Sequence, residues 1–252
     1  MKRYLMYARY ILCAGALVCA ILIVFVKGEQ LLADKEMAEL RGQAEGAGQF
    51  QSEAGNDADV LAFPSDLWNE NQDMAAWLRV QGTIIDYPVM LTPDDGEYYL
   101  HRSFSKKYSL PGTPFMDKKC GQPEEADSLI IYGHNMRDGT MFSALKNYED
   151  EDFYSKNKTI QLALPGGTRE YEVFAVVRLN VQEEDDARIY DCAGKLSEQQ
   201  FDSYVSEIRS RALYDTGAQP AYGDRLLMLS TCSYHTSDGR LAVVGYCPAD
   251  RA

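Results

Sequence analysis

Short apolar runs separated by turn residues fill the chain from Val80 onward, and this pattern constrains the fold more than any other feature. Apolar and β-branched runs of about four to eight residues between Gly, Pro and Asp are typical of strands, because they are too short for independent helices. Eight such strands suit a closed barrel, which leaves no exposed sheet edge. The predicted strands are residues 83–89, 97–101, 113–116, 128–132, 159–164, 171–179, 225–231 and 240–246.

Helical patterns occur in three other segments. Residues 65–70 precede the first predicted strand, and a break and a short helix or turn then lead into Trp77. Residues 140–148 place apolar side chains at helical spacing. The third segment begins at Ser197, which forms a capping-box pattern with Gln200 ahead of an apolar stripe. A helix is therefore predicted between the late strands.

The N-terminal region contains an uncharged apolar run at residues 10–26, at the short end of the length that crosses a membrane as a helix. Lys2, Arg3 and Arg9 precede this run, so the positive-inside rule places the N-terminus in the cytoplasm and the remainder outside. A cleaved signal peptide is the alternative, but no small-x-small cleavage pattern follows the run. An uncleaved signal-anchor is the favoured interpretation.

These features divide the chain into three parts. Residues 1–26 are predicted to form the cytoplasmic N-terminus and the membrane helix, residues 27–59 an extracellular linker, and residues 60–252 the folded domain. Helix formers at residues 30–41 favour an extension of the membrane helix. Residues 42–59 contain repeated Gly and Asn breaks and little to bury, so a flexible tether is expected there.

The exported part is strongly acidic. The first 26 positions contain three basic and no acidic residues, so removing them changes the formal net charge from −13 to −16. Such a domain is not a nucleic-acid binder, and it is not attracted to anionic lipid. The acidic run at residues 183–186 is interpreted as solvated surface rather than as a metal site.

A cysteine and an arginine flank the connection between the last two predicted strands. Cys232 follows the apolar strand at residues 225–231, and Arg240 comes eight positions later at the start of the next apolar run. A nearby guanidinium favours the thiolate, which is the nucleophilic form of cysteine. A small buried cysteine that ends a core strand is the alternative, because free cysteines are often buried. The spacing by itself leaves both interpretations open.

A cysteine nucleophile needs a base or an imidazolium partner, and His134 is the best candidate among three histidines. It follows the predicted strand at residues 128–132, so it lies at a strand end, as Cys232 does. His101 is interpreted as a surface or packing residue, and His235 as a solvated loop residue. The other cysteines show no C-x-x-C spacing, so neither a metal site, a dithiol pair nor a structural disulfide is expected.

Longer motifs surround these residues. The sequence Leu-Ser-Thr-Cys at residues 229–232 with Arg240, and Tyr-Gly-His-Asn-Met at residues 132–136, resemble the sortases, the cysteine transpeptidases of Gram-positive cell surfaces. The class B subgroup fits best, because residues 82–89 and 112–117 also look like its motifs. The resemblance runs from about residue 66 to residue 244.

This resemblance implies a mainly β fold, a closed eight-stranded sortase-type barrel with N-terminal helices and a helix between the late strands. It implies that Cys232 attacks a backbone carbonyl to form a thioester, that His134 as imidazolium protonates the leaving amine, and that Arg240 steadies the oxyanion. Residues 60–252 would then be the sortase catalytic domain. The residues expected to bind substrate are Thr231, Ser230 and Asn135.

The expected partners follow from the same resemblance. They are surface proteins with a C-terminal sorting motif and, as acceptor, the amine of a peptidoglycan cross-bridge or of a lipid-linked precursor. A single N-terminal helix would hold the catalytic domain outside the cell membrane, without cofactor, metal or nucleic acid. A hydrolytic cysteine peptidase and a pilin-polymerising sortase remain alternatives with the same three residues. A non-catalytic binding module is disfavoured by the intact Cys-His-Arg set, and no second apolar span follows Val244, which disfavours the pilin-polymerising class.

Overall fold

The computed structural model describes residues 2–52, 61–232 and 238–251. Eight strands close into a barrel in the order β1-β2-β3-β4-β7-β8-β6-β5, which confirms the predicted closed eight-stranded architecture. Both faces of most strands are buried, by the barrel interior on one side and by helices or loops on the other. The strands are β1 Met74–Val80, β2 Asp86–Met90, β3 Phe115–Met116, β4 Ser128–Tyr132, β5 Thr159–Leu164, β6 Gly167–Asn180, β7 Arg225–Cys232 and β8 Gly239–Cys247.

The register of three strands brings distant parts of the chain to one end of the barrel. β4 and β7 are parallel, from Ser128 opposite Leu226 to Tyr132 opposite Ser230. Their C-terminal ends therefore lie side by side. β8 runs antiparallel to β7, so it begins where β7 ends. Any side chains at these three positions share one edge of the barrel.

Two secondary-structure assignments from the sequence were wrong. Residues 97–101 form a 3₁₀ turn, Tyr98–His101, in which the Leu100 amide donates to the Glu97 carbonyl. The buried Tyr99 hydroxyl donates to Asp73 and accepts from Asn71, and these tertiary contacts fix the turn. The segment before Trp77, expected as a helix or turn, is instead strand β1. Since β1 is buried on both faces, it lacks the alternation that marks a half-exposed strand.

The helix between the late strands is confirmed. α5 (Glu198–Ser210) begins at Ser197, whose side chain and Gln200 form the predicted capping box. α2 (Ser65–Glu70) is also where it was expected. The segment predicted at residues 140–148 is helical, but as a 3₁₀ helix, Phe142–Glu149, followed by α3 (Glu151–Lys156). Further 3₁₀ turns are Lys118–Cys120 and Ala249–Arg251.

The acidic run near residue 183 is not simply solvated surface. It forms α4 (Glu184–Ile189), in which Asp186 is buried. The Asp186 carboxylate accepts from the Asn180 amide at 2.6 Å and pairs with the Arg211 guanidinium. The interpretation of Asp186 as solvated was therefore wrong, because burial here is compensated by a hydrogen bond and an ion pair.

A single long helix, α1 (Lys2–Ser52), forms the N-terminal part. It is the one helix among the described residues that is long and apolar enough to cross a membrane, and its most apolar window is not buried in the protein. Further along, α1 packs on the barrel through Ala33, Met37, Leu40 and Ala44. The structure differs from the expected flexible tether between residues 42 and 52, which continue the helix. The rest of the linker, residues 53–60, lies outside the described residues.

Candidate active site

The ends of β4, β7 and β8 open into a cleft of about 740 Å³. Cys232, Arg240 and His134 all line it, although they are separated by up to 106 positions in the sequence. Ser230 and Thr231 line the same cleft. Asn135 contacts the wall of the cleft through the backbone of Cys232. The structure therefore brings together all six site residues predicted from the sequence.

One wall of the cleft consists of regular strand. The β7–β8 pairing continues without a break from Arg225 opposite Cys247 to Cys232 opposite Arg240. The thiol and the guanidinium are thus cross-strand neighbours, half-buried at the last pair of the ladder. The Arg240 Nη1 atom donates to the Gly239 carbonyl at 3.1 Å. This contact turns one guanidinium nitrogen toward the strand and uses one of the five donors of the group.

Tyr190 also lines the cleft, next to the end of β7. Its hydroxyl is 2.9 Å from the Ser230 hydroxyl, and its ring stacks against Tyr132. Burial raises the pKa of Tyr190, the nearby Arg240 charge lowers it and Cys232 raises it. Tyr190 therefore stays a neutral phenol at physiological pH, and it gives the cleft an aromatic wall with one hydroxyl.

The opposite wall is built from loops around His134. Gly133 continues the β4–β7 ladder by one bond, from its amide to the Ser230 carbonyl at 3.1 Å. A side chain at this position would meet the Phe142 ring, 2.5 Å from an added Cβ. The Phe142 amide in turn donates to the His134 carbonyl at 2.9 Å. Glycine at 133 thus allows the backbone to pass close to Phe142 as it leaves the strand.

The His134 ring is held by a backbone carbonyl. Its Nε2 lies 2.9 Å from the Leu100 oxygen. A carbonyl oxygen only accepts, so Nε2 must carry a proton in both charge states, and Nδ1 is the nitrogen that gains or loses one. The carbonyl has the orienting role that a carboxylate has in other histidine-assisted sites.

The protonation state of His134 follows from its surroundings. Burial lowers the pKa of His134, the hydrogen bond to Leu100 raises it, and the neighbouring His101 lowers it further. The net direction is downward, so the resting imidazole is neutral at pH 7. The sequence-based expectation was that His134, as imidazolium, protonates the leaving amine. The structure instead favours an imidazolium that forms during the reaction.

Three hydrogen bonds join the two walls or hold their ends. Asn135 Nδ2 donates to the Cys232 carbonyl at 2.8 Å, and Thr231 Oγ1 donates to the Gly133 carbonyl at 2.7 Å. The Ser230 hydroxyl is bonded to Tyr190. Ser230 and Thr231 are buried, and both hydroxyls are used within the protein. These contacts position the strand ends; substrate binding by the three residues stays a prediction.

Sequence reasoning missed several residues around the cleft. His101 stacks on His134, with ring centroids 5.2 Å apart and an interplanar angle of 21°. Leu100 supplies the carbonyl, and the Tyr132 hydroxyl donates to Asp117 at 2.9 Å. The sequence predicted a strand at residues 97–101, and the contact of Leu100 with His134 joins residues 34 positions apart, which local sequence does not reveal. His235 lies outside the described residues.

The remaining cysteines do not contribute to the cleft. Cys120 and Cys247 are buried, and Cys192 is half-buried beside the Lys119–Asp191 ion pair. Burial raises the pKa of Cys120 to about 11 and also raises that of Cys192. Across the described ranges, no group of three or more His, Cys, Asp or Glu side chains is arranged to hold a metal ion.

Comparisons with known proteins agree with this fold. The family profile for the sortase domain matches residues 78–247. Sortase B of Listeria monocytogenes is 31% identical over 183 residues, covering 71% of this chain and 72% of that protein. The X-ray structure of Clostridium perfringens sortase B is 32% identical, with a TM-score of 0.66 over 72% of this chain and 97% of that chain.

A third comparison concerns the fold alone. The Staphylococcus aureus sortase B–substrate complex has a TM-score of 0.73, covering 87% of this chain and 98% of that chain, at 23% identity. Its barrel has the same architecture as the one described above. The sortase-type barrel predicted from the sequence is therefore confirmed.

Proposed function

The chain belongs to the sortase family of cysteine transpeptidases and, within it, to class B, and we propose that Cys232, His134 and Arg240 form its catalytic site. One observation carries the proposal: three strand ends meet at one cleft. There the β7–β8 register sets Cys232 opposite Arg240, and the loop after β4 brings His134 to the same space.

The first half of the reaction forms a thioester. Cys232 Sγ attacks the carbonyl carbon of a scissile peptide bond, and its proton passes to Nδ1 of the neutral His134. When the carbon–nitrogen bond breaks, the same proton moves from His134 to the leaving amine. A positioned acid–base group of this kind contributes about 10²–10⁴-fold to rate. The lowered pKa of His134 supports this order, because the resting ring is free to accept.

Arg240 acts on the charge that develops on the substrate. The attack of Cys232 turns the carbonyl oxygen into an oxyanion, and a fixed guanidinium nearby stabilises that charge more in the transition state than in the ground state. The cross-strand position of Arg240, opposite Cys232 in the ladder, supports this role. Arg240 also fits the binding of a peptide carbonyl before the attack.

The second half of the reaction resolves the thioester. An amine attacks the thioester carbon, its proton passes to His134, and the departing sulfur regains that proton as the new amide forms. We propose that the substrates are surface proteins with a C-terminal sorting motif. The acceptor would be an amine of a peptidoglycan cross-bridge or of a lipid-linked precursor. Water in place of the amine gives the hydrolytic alternative, and a pilin lysine gives the pilin-polymerising one.

We also propose that the enzyme works at the outer face of the cell membrane. The apolar part of α1 serves as a single-pass anchor with the N-terminus in the cytoplasm, residues 27–59 connect it to the catalytic domain, and residues 60–252 form that domain. The unburied apolar window of α1 and the basic residues before it support this topology. Removal of the helix as a signal sequence is the alternative.

The test uses the full-length chain in detergent micelles with a library of sorting-motif peptides. Intact-mass spectrometry should show a covalent adduct on Cys232, absent in Cys232→Ala, that an added amine releases as a new peptide bond. Release only by water would support the hydrolytic alternative instead. No adduct with any peptide, while a small alkylating reagent still modifies Cys232, would contradict the proposed transpeptidation.

A further inference from the structure

His101 makes contacts that the proposed chemistry does not yet use. Its exposed ring stacks on the face of His134 at 5.2 Å. Its own Nδ1 lies 3.3 Å from the Leu110 carbonyl, which holds the ring in place from the other side of the loop. The His134 imidazole is therefore contacted on its edge by the Leu100 carbonyl and on its face by His101.

One short turn supplies both contacts. Leu100 and His101 are consecutive residues of the 3₁₀ turn Tyr98–His101. The Thr113 amide donates to the Tyr99 carbonyl, and the Ser109 amide donates to the His101 carbonyl, both at 3.1 Å. These bonds tie the turn to the chain that follows it. A movement of the turn would displace both groups that contact His134.

We propose that His101 is a positioning residue for His134. The stacked ring of His101 keeps the His134 imidazole on the Leu100 carbonyl, and a positive charge on His101, when present, disfavours a second positive charge on His134. The inference rests on the proposed role of His134 as the group that accepts and returns the proton. His101 itself does not touch the reacting atoms. It acts through His134.

Charged groups and one thiol also line the cleft. The Cys232 thiol comes from the end of β7 and Arg240 from the start of β8. Asp94, Asp95 and Glu97 come from ahead of the turn, and Asp117, Lys118 and Lys119 follow β3. Among the described residues, His101 is the group whose charge lowers the pKa of His134, after the larger effect of burial. Stacked imidazoles repel when both are protonated, and the centroids of these two rings are 5.2 Å apart.

The consequence is a wider range of pH for the proton-accepting form. As pH falls, a charged His101 resists protonation of His134, so neutral His134 persists to lower pH than it would alone. The acid limb of kcat/KM, which reports the free enzyme, should therefore lie lower with His101 than without it. The basic limb should not depend on His101.

The experiment compares two variants of the full-length chain. His101→Phe keeps an aromatic ring on His134 and removes the charge, whereas His101→Ala removes both. Tyr108→Ala is the matched control, since Tyr108 is exposed in the same loop and is not stacked on His134. Isotope-edited NMR of the histidines reports the pKa and tautomer of His134 without any need for turnover. Thermal unfolding checks that each variant is folded.

In His101→Phe, we expect the NMR pKa of His134 and the acid limb to rise together by about half a pH unit, since solvent screens the exposed ring. In His101→Ala, we expect the same rise and also a kcat lowered by roughly fivefold to tenfold with KM unchanged, because the imidazole is less well held. The control should match the wild type in all readouts.

Two results would overturn the inference: a His134 pKa and acid limb unchanged in His101→Phe, or a kcat unchanged in His101→Ala. A failure of the catalytic proposal is distinguishable from these. If His134→Ala retained full transpeptidation, His134 would not be the proton carrier, while the NMR shift in His101→Phe would still decide whether the two imidazoles are coupled.

Discussion

The two walls of the cleft are built in different ways. The wall with Cys232 and Arg240 is the end of a regular ladder, in which each residue of β7 has a partner on β8. The wall with His134 is a loop against a 3₁₀ turn, held by one carbonyl, one stacked ring and a few side-chain bonds. A ladder distributes the positioning of its last pair over many backbone hydrogen bonds, whereas the turn concentrates it in single contacts.

Because of this difference, the two walls should respond differently to substitution. A substitution in the middle of β7 or β8 leaves the other ladder bonds to keep Cys232 opposite Arg240. On the His134 wall, displacement of the Leu100 carbonyl alone would change the orientation of the His134 ring. We therefore expect activity to be lost when a reactive side chain is removed from the wall with Cys232 and Arg240. On the wall with His134, we expect activity to fall because the ring is misplaced when one of its contacts is removed.

The largest effect should come from the thiol itself. Cys232→Ala should lower transpeptidation on the order of 10⁴-fold or more, because no other described group replaces the nucleophile. Turnover of a sorting-motif peptide in the presence of an amine measures this. Cys192→Ala is the control, since Cys192 is also partly accessible. Retained activity in Cys232→Ala would contradict the role of Cys232 as the nucleophile.

A glycine beside the Leu100 carbonyl should give the next largest effect. Gly112 has φ +61, and an added Cβ would lie 2.3 Å from the Leu100 oxygen that holds His134. Gly112→Ala should lower kcat roughly 100-fold, as expected for an ångström-scale shift of a catalytic group. Strain at positive φ should also lower the free energy of unfolding by about 1–3 kcal/mol.

Gly121→Ala separates these two effects. Gly121 has a similar φ of +64, but an added Cβ would meet nothing within 4 Å. We expect a comparable loss of stability from backbone strain and an unchanged kcat. Equal kcat in the two variants would show that the Leu100 carbonyl is not the sensitive support of the His134 wall. Urea unfolding and steady-state kinetics provide the two readouts.

Loss of the hydrogen bond from Asn135 to Cys232, one of those that join the walls, should have a smaller effect on kcat. Asn135→Ala removes the donor to the Cys232 carbonyl and should lower kcat by about tenfold, in keeping with a hydrogen bond worth about 0.5–1.5 kcal/mol. A role in joining the walls predicts this loss with little change in KM. A raised KM with normal kcat would instead support the substrate-binding role expected from the sequence.

The smallest effect concerns stability and pH. Burial holds the pKa of His134 below its value of about 6.5 in an unfolded chain. The unfolded state then binds more protons between these two values, so the stability that neutral His134 provides above about pH 6.5 is lost as pH falls through the lowered pKa. We expect the unfolding free energy of the wild type, relative to His134→Gln, to decline as pH falls over this range. A difference that does not vary with pH would contradict the lowered pKa.

Local patterns predicted most of the barrel and much of the cleft. Seven of the eight strand positions, the capped helix at Ser197 and the six candidate site residues were visible from apolar runs, turn residues and motifs. β1 was missed because a strand buried on both faces has no alternating pattern. The stretch 97–101 was taken as a strand because its tyrosines favour strands locally, whereas Asn71 and Asp73 fix it as a turn.

Residue types and their local order were enough to specify the chemical groups and their attachment to strand ends: a thiol at the end of β7, a guanidinium at the start of β8 and an imidazole after β4. Such features depend on residue type and near neighbours, which are present in the linear order. Three properties of His134 follow from long-range packing: Leu100 holds its Nε2, His101 stacks on its ring, and the resting imidazole is neutral. Those properties depend on burial and on contacts between distant segments, and they exist only after the barrel has closed.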